Sequence, residues 1–250
     1  MSLNPLAPIT DYQSMLNRIF WFTTACALAG VWMLRLFVPA IDASLGKIDL
    51  AIASRVDKLL PIAGGYLLPA LLVGILARVF RLHARISDWL GIRESFETEV
   101  ILAEFGRRLG VDLEARGDEP RRRARHHIMR QAFYPYVNGA HAQIDQQLVY
   151  QALDAWSWFW VGVEATFVIT LTSFTLIAFD AYRIGFQTLA VAIALAMFGL
   201  PTIRAQCKRY AIAQVREILA DSQRAAVARA AFNELTGVAS EQSVGRRAAA

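Results

Sequence analysis

One carboxylate stands inside an unbroken apolar run. Glu164 lies in WFWVGVEATFVITLTSFTLIAF (158–179), where an ionisable group is costly to hold unless it faces other helices, water or a partner. Thr166, Thr170 and Ser173 in the same run supply hydroxyls. Together with Glu164 they would make a polar site able to take a proton or a cation along a pore. The plainer reading places Glu164 near enough to one end of the run to reach the interface or to bond a neighbouring helix.

The second concentration of chemistry is basic. Residues 121–127 read RRRARHH, and Arg121, Arg122, Arg123 and Arg125 form a patch suited to anionic lipid headgroups or an acidic partner. Arginine also stands four residues clear of histidine at Arg121 with His126, Arg122 with His127, and Arg78 with His83. This spacing resembles the short ribonuclease signature of higher-eukaryote-and-prokaryote nucleotide-binding domains. The resemblance implies Arg and His on adjacent helical turns holding phosphate and moving a proton, here as a membrane-anchored ribonuclease using Arg122 and His127. The same spacing arises readily in a chain with 23 arginines and 3 lysines, and nucleic acid is not the expected partner.

Metal and cofactor chemistry find little footing. His83, His126, His127 and His141 lack a short-spaced Cys, Asp or Glu pattern, and Cys26 and Cys207 are far apart in the chain, so no zinc arrangement and no disulfide framework is expected. There is no GxxxxGK[ST] phosphate loop, GxSxG elbow or HExxH helix. No cofactor is expected, and the reading is of a non-enzymatic protein.

What must position these residues follows from hydropathy. The 250 residues are 56% hydrophobic and 19% charged, with a formal net charge of +5, too apolar for a disordered chain and unusual for a soluble domain. Four runs approach or reach the length that crosses a bilayer at about 1.5 Å per residue: 19–38, 59–77, 158–179 and 186–203. The predicted fold is therefore an all-α integral membrane protein, four transmembrane helices with protruding cytoplasmic helices. Val38-Pro39-Ala40 is an acceptable cleavage pattern, but the first run exceeds a usual signal core and follows no cluster of positive charge, which favours a retained span. Arg35 near its end can snorkel. Pro69 predicts a kink in the second span. Small residues four apart, such as Cys26 with Gly30 and Ala70 with Gly74, allow close helix approach within one chain or between copies. Trp156, Trp158, Phe159 and Trp160 read as an interfacial aromatic belt.

The remaining segments divide into an amino-terminal stretch (1–18), a loop domain (78–157) and a tail (204–250). Between the first two spans, 41–58 has the three- and four-residue apolar spacing of an amphipathic helix on the outer side. In the loop domain, residues 80–90 are expected to continue the second span, and 94–109 to form a helix burying Phe96, Val100, Ala103 and Leu109. Gly110–Pro120 reads as a connection, 121–133 as a basic helix and Tyr134–Gly139 as a turn. From Ala140 a helix is expected to run unbroken into the third span. In the tail, Ile212, Val215 and Leu219 form a short heptad-like seam, and the residues beyond Gly237 read as frayed.

Arg18, Arg78, Arg81, Arg85, Arg204, Lys208, Arg209 and Arg216 fall on one side of the spans and Lys47, Arg55, Lys58, Arg183 and Arg35 on the other, a bias placing both termini in the cytoplasm. The expected protein is thus a multi-pass inner (plasma) membrane scaffold or subunit of a larger envelope complex. Its partners would be membrane lipids and either copies of itself or other subunits. The alternative is an oligomeric ion-conducting pore or membrane-permeabilising effector using Glu164. The layout is similar to that of stator and energy-transducing proton-channel subunits, but the glycine- and threonine-rich third-span motif of that family is missing from VGVEATFVITLTSFTLI.

Overall fold

A computed structural model describes residues 6–53, 64–111, 125–138 and 141–234. The expected span start at 59–63, the end of the outer helix (54–58), most of the 110–120 connection, Arg121 to Arg123 and the last sixteen residues (235–250) lie outside the described residues. Those that are described are helical, with no strand among them: α1 (Tyr12–Phe37), α2 (Pro39–Ala53), α3 (Gly64–Val79), α4 (Leu82–Leu90), α5 (92–109), α6 (125–137), α7 (Gln146–Ala178), α8 (Tyr182–Ala220) and α9 (222–234). α1, α7 and α8 are each long and apolar enough to cross a membrane, and α3 with α4 makes a fourth if the bent pair counts as one span. Two compact units divide the chain. One comprises the described residues through Ile86 with Asp154–Ala205, the other Ser87–Leu153 with the described residues from Gln206 on.

In the first unit, α1 starts where its cap dictates rather than where hydropathy rises. The Asp11 carboxylate accepts the Ser14 N–H at 2.7 Å and Ser14 Oγ accepts the Asp11 N–H at 3.1 Å, a reciprocal capping box that satisfies two otherwise orphaned amides. Val38 ends the helix in an extended conformation before Pro39 opens α2. Arg35 pairs with Asp42 at 2.7 Å and lies over the Tyr66 ring at 4.0 Å.

α1 approaches α3 and α7 closely through small residues. A Cβ on Gly74 would overlap Thr24 Oγ1, one on Gly30 would sit 2.6 Å from Thr172 Oγ1, and Ala27, Ala70 and Val168 meet in a buried cluster flanked by Cys26. Pro69 lies within the interior of α3. The sharp bend, 55° between α3 and α4, falls beyond it. At that break Arg81 adopts φ 48, a left-handed conformation that interrupts the hydrogen-bond ladder, so residues 80–90 do not extend α3 in a straight line. The outward faces carry large apolar side chains, among them Trp32, Leu72, Leu171 and Phe198, the last 70% exposed.

The second unit has an apolar core of Leu102, Phe105, Ile128, Phe133, Val215, Ile218 and Phe232, with Phe105 edge-on to Phe133 at 6.5 Å and 6.3 Å from Phe232. α5 passes through a π-turn at Glu97–Leu102. One extra residue in a turn rotates everything after it by about 100°, which corrects the expected apolar face. Phe96 and Val100 are buried as their spacing predicts, but Ala103 is exposed and Leu109 half-exposed, while Glu104 and Phe105 turn inward. A second π-turn at Met129–Phe133 leads into a further helical turn, Tyr134–Val137. The expected turn beginning at Tyr134 is thus helical to Val137, because Pro135 sits in a first-turn position where its missing N–H costs nothing. α7 begins at Gln146 rather than Ala140 and continues without interruption to Ala178. On α8 the buried face is Ala211, Gln214, Val215 and Ile218, so the predicted seam keeps Val215 and shifts away from Ile212 and Leu219.

Candidate functional site

Glu164 is 1% exposed and faces α1 and the start of α4. Its Oε2 accepts the Thr23 hydroxyl at 2.5 Å, and its Oε1 accepts the backbone N–H of His83 at 3.2 Å. The first amides of a helix have no partner of their own. The carboxylate therefore satisfies an orphan of α4 where the α3–α4 bend leaves it. The His83 ring stands beside the same oxygen, Nδ1 to Oε1 3.7 Å, with Nε2 3.3 Å from the Tyr12 hydroxyl and the ring edge-on to Trp160 at 5.9 Å.

A second buried polar group lies one turn and a half along α1. Arg18, 4% exposed, donates to Asp154 at 2.5 Å, to Ser157 Oγ at 2.8 Å and to the Ala7 carbonyl at 3.0 Å, and stacks over Trp158 at 5.0 Å. A guanidinium held this way keeps its charge compensated and its donors occupied.

The other predicted members of the Glu164 site are placed elsewhere. At about 100° per residue, Thr166, Thr170 and Ser173 lie on the far side of the helix from Glu164. Thr166 bonds its own helix at the Gly162 carbonyl, 2.7 Å away, and Ser173, fully buried, bonds the Gly185 carbonyl of α8 at 2.7 Å. Thr170 is half-buried. The residues that do meet Glu164, namely Thr23 and His83, and Tyr12 on the far side of the His83 ring, come from distant parts of the sequence. Their only signal there is polarity within an otherwise apolar α1 and a histidine just past a span. The aromatic group also turns inward: Phe159 and Trp160 are buried, and Trp158 packs against Phe22 at 4.9 Å.

In the second unit, Arg125 is the member of the predicted basic patch that the structure describes. It borders a cleft of about 630 Å³ together with Arg93, Glu94, Glu97, Arg130 and Tyr134. Arg93 donates to Glu97 at 2.7 Å and to the Tyr134 hydroxyl at 2.7 Å, and that hydroxyl donates to Glu97 at 2.5 Å. Burial and the hydrogen bond to Glu97 push the Tyr134 hydroxyl up to about 12, against the opposing pull of Arg93. Burial alone would lower Arg93; its bonds to Glu97 and Tyr134 outweigh that and raise it above its usual range. Arg125 is 3.9 Å from Glu94 and 3.7 Å from Glu97, and also donates to His126 at 2.9 Å. Nearby in sequence, Glu104 is held below the usual carboxylate range: burial works against this, but the hydrogen bonds from Arg108 and Arg107 prevail.

The arginine–histidine spacing does not assemble a catalytic pair among the described residues. Arg78 donates to Asn17 at 2.8 Å while His83 turns to Glu164 and Tyr12. His127 pairs with Glu234 at 3.0 Å, and Arg122 lies outside the described residues. No group of three or more potential metal ligands comes together among the described residues.

One family model matches the chain over residues 11–234, from the cap of α1 to the end of α9. The chain belongs to the YmfE protein family. No curated protein and no solved structure matches it. The YmfE match takes in both compact units, and with them Glu164, His83 and the Arg93–Glu97–Tyr134 cluster.

Proposed function

We propose that this YmfE family member is a non-enzymatic, multi-pass protein of the inner (plasma) membrane that serves as a scaffold or subunit of an envelope complex. On this reading both termini and the second unit are cytoplasmic. The observation that carries it is the inverted distribution of side chains in the first unit: Trp32, Leu72, Leu171 and Phe198 are exposed, whereas Thr23, Glu164 and Ser173 are buried. Water would penalise that arrangement and hydrocarbon favours it. Arg125 and the charged cleft beside it are where this reading places contact with lipid headgroups or a partner chain.

The ion-conducting alternative receives less support. Glu164 has its acceptors engaged by Thr23 and His83 of the same chain, and the hydroxyls proposed to line a pore with it point elsewhere.

The test is extraction and native mass spectrometry of the full-length protein. Resistance to an alkaline wash, with copurifying membrane proteins at fixed stoichiometry, is expected. Release by the wash would overturn the membrane assignment. A closed homo-oligomer whose liposome conductance vanishes in Glu164→Gln would overturn the scaffold in favour of the pore.

A further inference from the structure

Nothing in a scaffold role uses an ionisable chain that leads from the surface to a buried carboxylate. Tyr12 is 57% exposed, His83 is 6% exposed and Glu164 is 1% exposed, and they follow one another at 3.3 Å (Tyr12 Oη to His83 Nε2) and 3.7 Å (His83 Nδ1 to Glu164 Oε1). The order is hydroxyl, imidazole, carboxylate. It is the arrangement in which an imidazole can accept a proton at one nitrogen and release one from the other.

We propose that Tyr12, His83 and Glu164 form a proton relay that loads and unloads Glu164 inside the helical bundle. In loading, Tyr12 passes its hydroxyl proton to His83 Nε2 while its oxygen takes a proton from hydronium in the adjoining water. His83 releases its Nδ1 proton to Glu164 Oε1. One proton leaves solvent, one carboxylate becomes a carboxylic acid, and the imidazole stays neutral with its proton moved to Nε2. The reverse sequence discharges the site. The final gap exceeds a hydrogen bond, so transfer requires the ring and carboxylate to close by somewhat under an ångström.

Among the described residues, the contacts of the His83 ring agree with this path. Facing the His83 ring are Glu164 and Trp160 from α7 and Tyr12 from α1. Other cations of these helices are held elsewhere: Arg18 by Asp154, Arg35 by Asp42, and Arg78 of α3 by Asn17. On α4's own side, Arg85 lies over Phe80 at 5.3 Å. Protonation has a structural consequence too. Neutral Glu164 is a weaker acceptor for the His83 N–H, so the relay acts on the first turn of α4 at the bend.

The relay goes beyond the assembly reading and stands or falls separately from it. The experiment uses the full chain in nanodiscs, with infrared difference spectra recorded after a pH jump. A carboxylic acid band that appears on acidification and is lost in Glu164→Gln is expected. Its amplitude should persist in Tyr12→Phe and His83→Gln, while its rise slows on the order of tenfold or more. Tyr12→Phe is the deciding variant, since it removes only an exposed hydroxyl and leaves the ring. An unchanged rise in that variant overturns the relay, as does the absence of any Glu164 band on acidification.

Discussion

At the scale of single residues, the first unit is organised by polar groups that find partners inside it. Glu164→Ala removes the acceptor of both the Thr23 hydroxyl and the His83 amide, so a loss of about 1–3 kcal/mol is expected for the buried donors left unmade. Thermal unfolding in detergent should register it, with Glu164→Gln losing less because its amide oxygen still accepts. The second unit carries two titrations of opposite sense. Glu104 is depressed in the folded state, so its stabilisation is full above the ordinary glutamate range and is lost as pH falls through its lower folded value. Tyr134 is raised to about 12, so its contribution is full below the ordinary tyrosine value and disappears as pH climbs toward that number. Acid unfolding should therefore begin at higher pH in the Arg107→Ala, Arg108→Ala double variant. Tyrosinate absorbance should show a late-titrating component that Tyr134→Phe removes. Glu164 was legible in the sequence as a residue needing partners. The partners were not, because Thr23 is brought to it by the packing of α1 and His83 by a bend that no proline marks.

At the scale of elements, hydropathy and periodicity located most helices and misplaced several faces. Their apolar runs place α1, α3, α7 and α8 in the sequence, and the unbroken spacing ahead of Trp156 anticipates a long α7. Pro69 stands inside α3, but the sharp bend between α3 and α4 lies at Arg81, whose left-handed conformation has no sequence signature when the residue is not glycine. Arg81→Gly should accordingly be neutral or stabilising, whereas Arg81→Val should lower the unfolding temperature, since a branched side chain tolerates that φ poorly. Gly74 makes a second element-scale prediction. With Thr24 and Phe20 against the site of its missing Cβ, Gly74→Val should cost about 1–3 kcal/mol through overpacking, read from the shift of a chemical unfolding curve.

At the scale of the molecule, composition says more than any motif. An excess of apolar residues could have been spread around a soluble core, but the described first unit sets them outward on α1, α3, α7 and α8 while polar side chains meet inside. An arginine at an outward position near the middle of a span should then hinder insertion by about 2–4 kcal/mol. Phe198→Arg and Leu72→Arg are expected to shift protein from the membrane fraction toward aggregates or degradation. Trp89→Arg, at an exposed site of the second unit, should leave membrane association unchanged. Equal behaviour of all three variants would contradict the membrane reading. A partner was not legible, because the proposed scaffold role needs complementary shape rather than a particular set of reactive groups.

The π-turns at Glu97–Leu102, Met129–Phe133 and Leu195–Gly199 have a genetic counterpart. Each holds one residue more than an α-helical turn needs, so each is a place where the gene can lose a codon without turning the following helix about its axis. Removing a single residue from Leu195–Gly199 should leave Ala211, Val215 and Ile218 on their buried face. The same removal two turns later would rotate the rest of α8 by about 100° and bring charged side chains into the core. Length variants that survive selection for stable expression should therefore cluster at these three turns and be scarce in the regular helix between them.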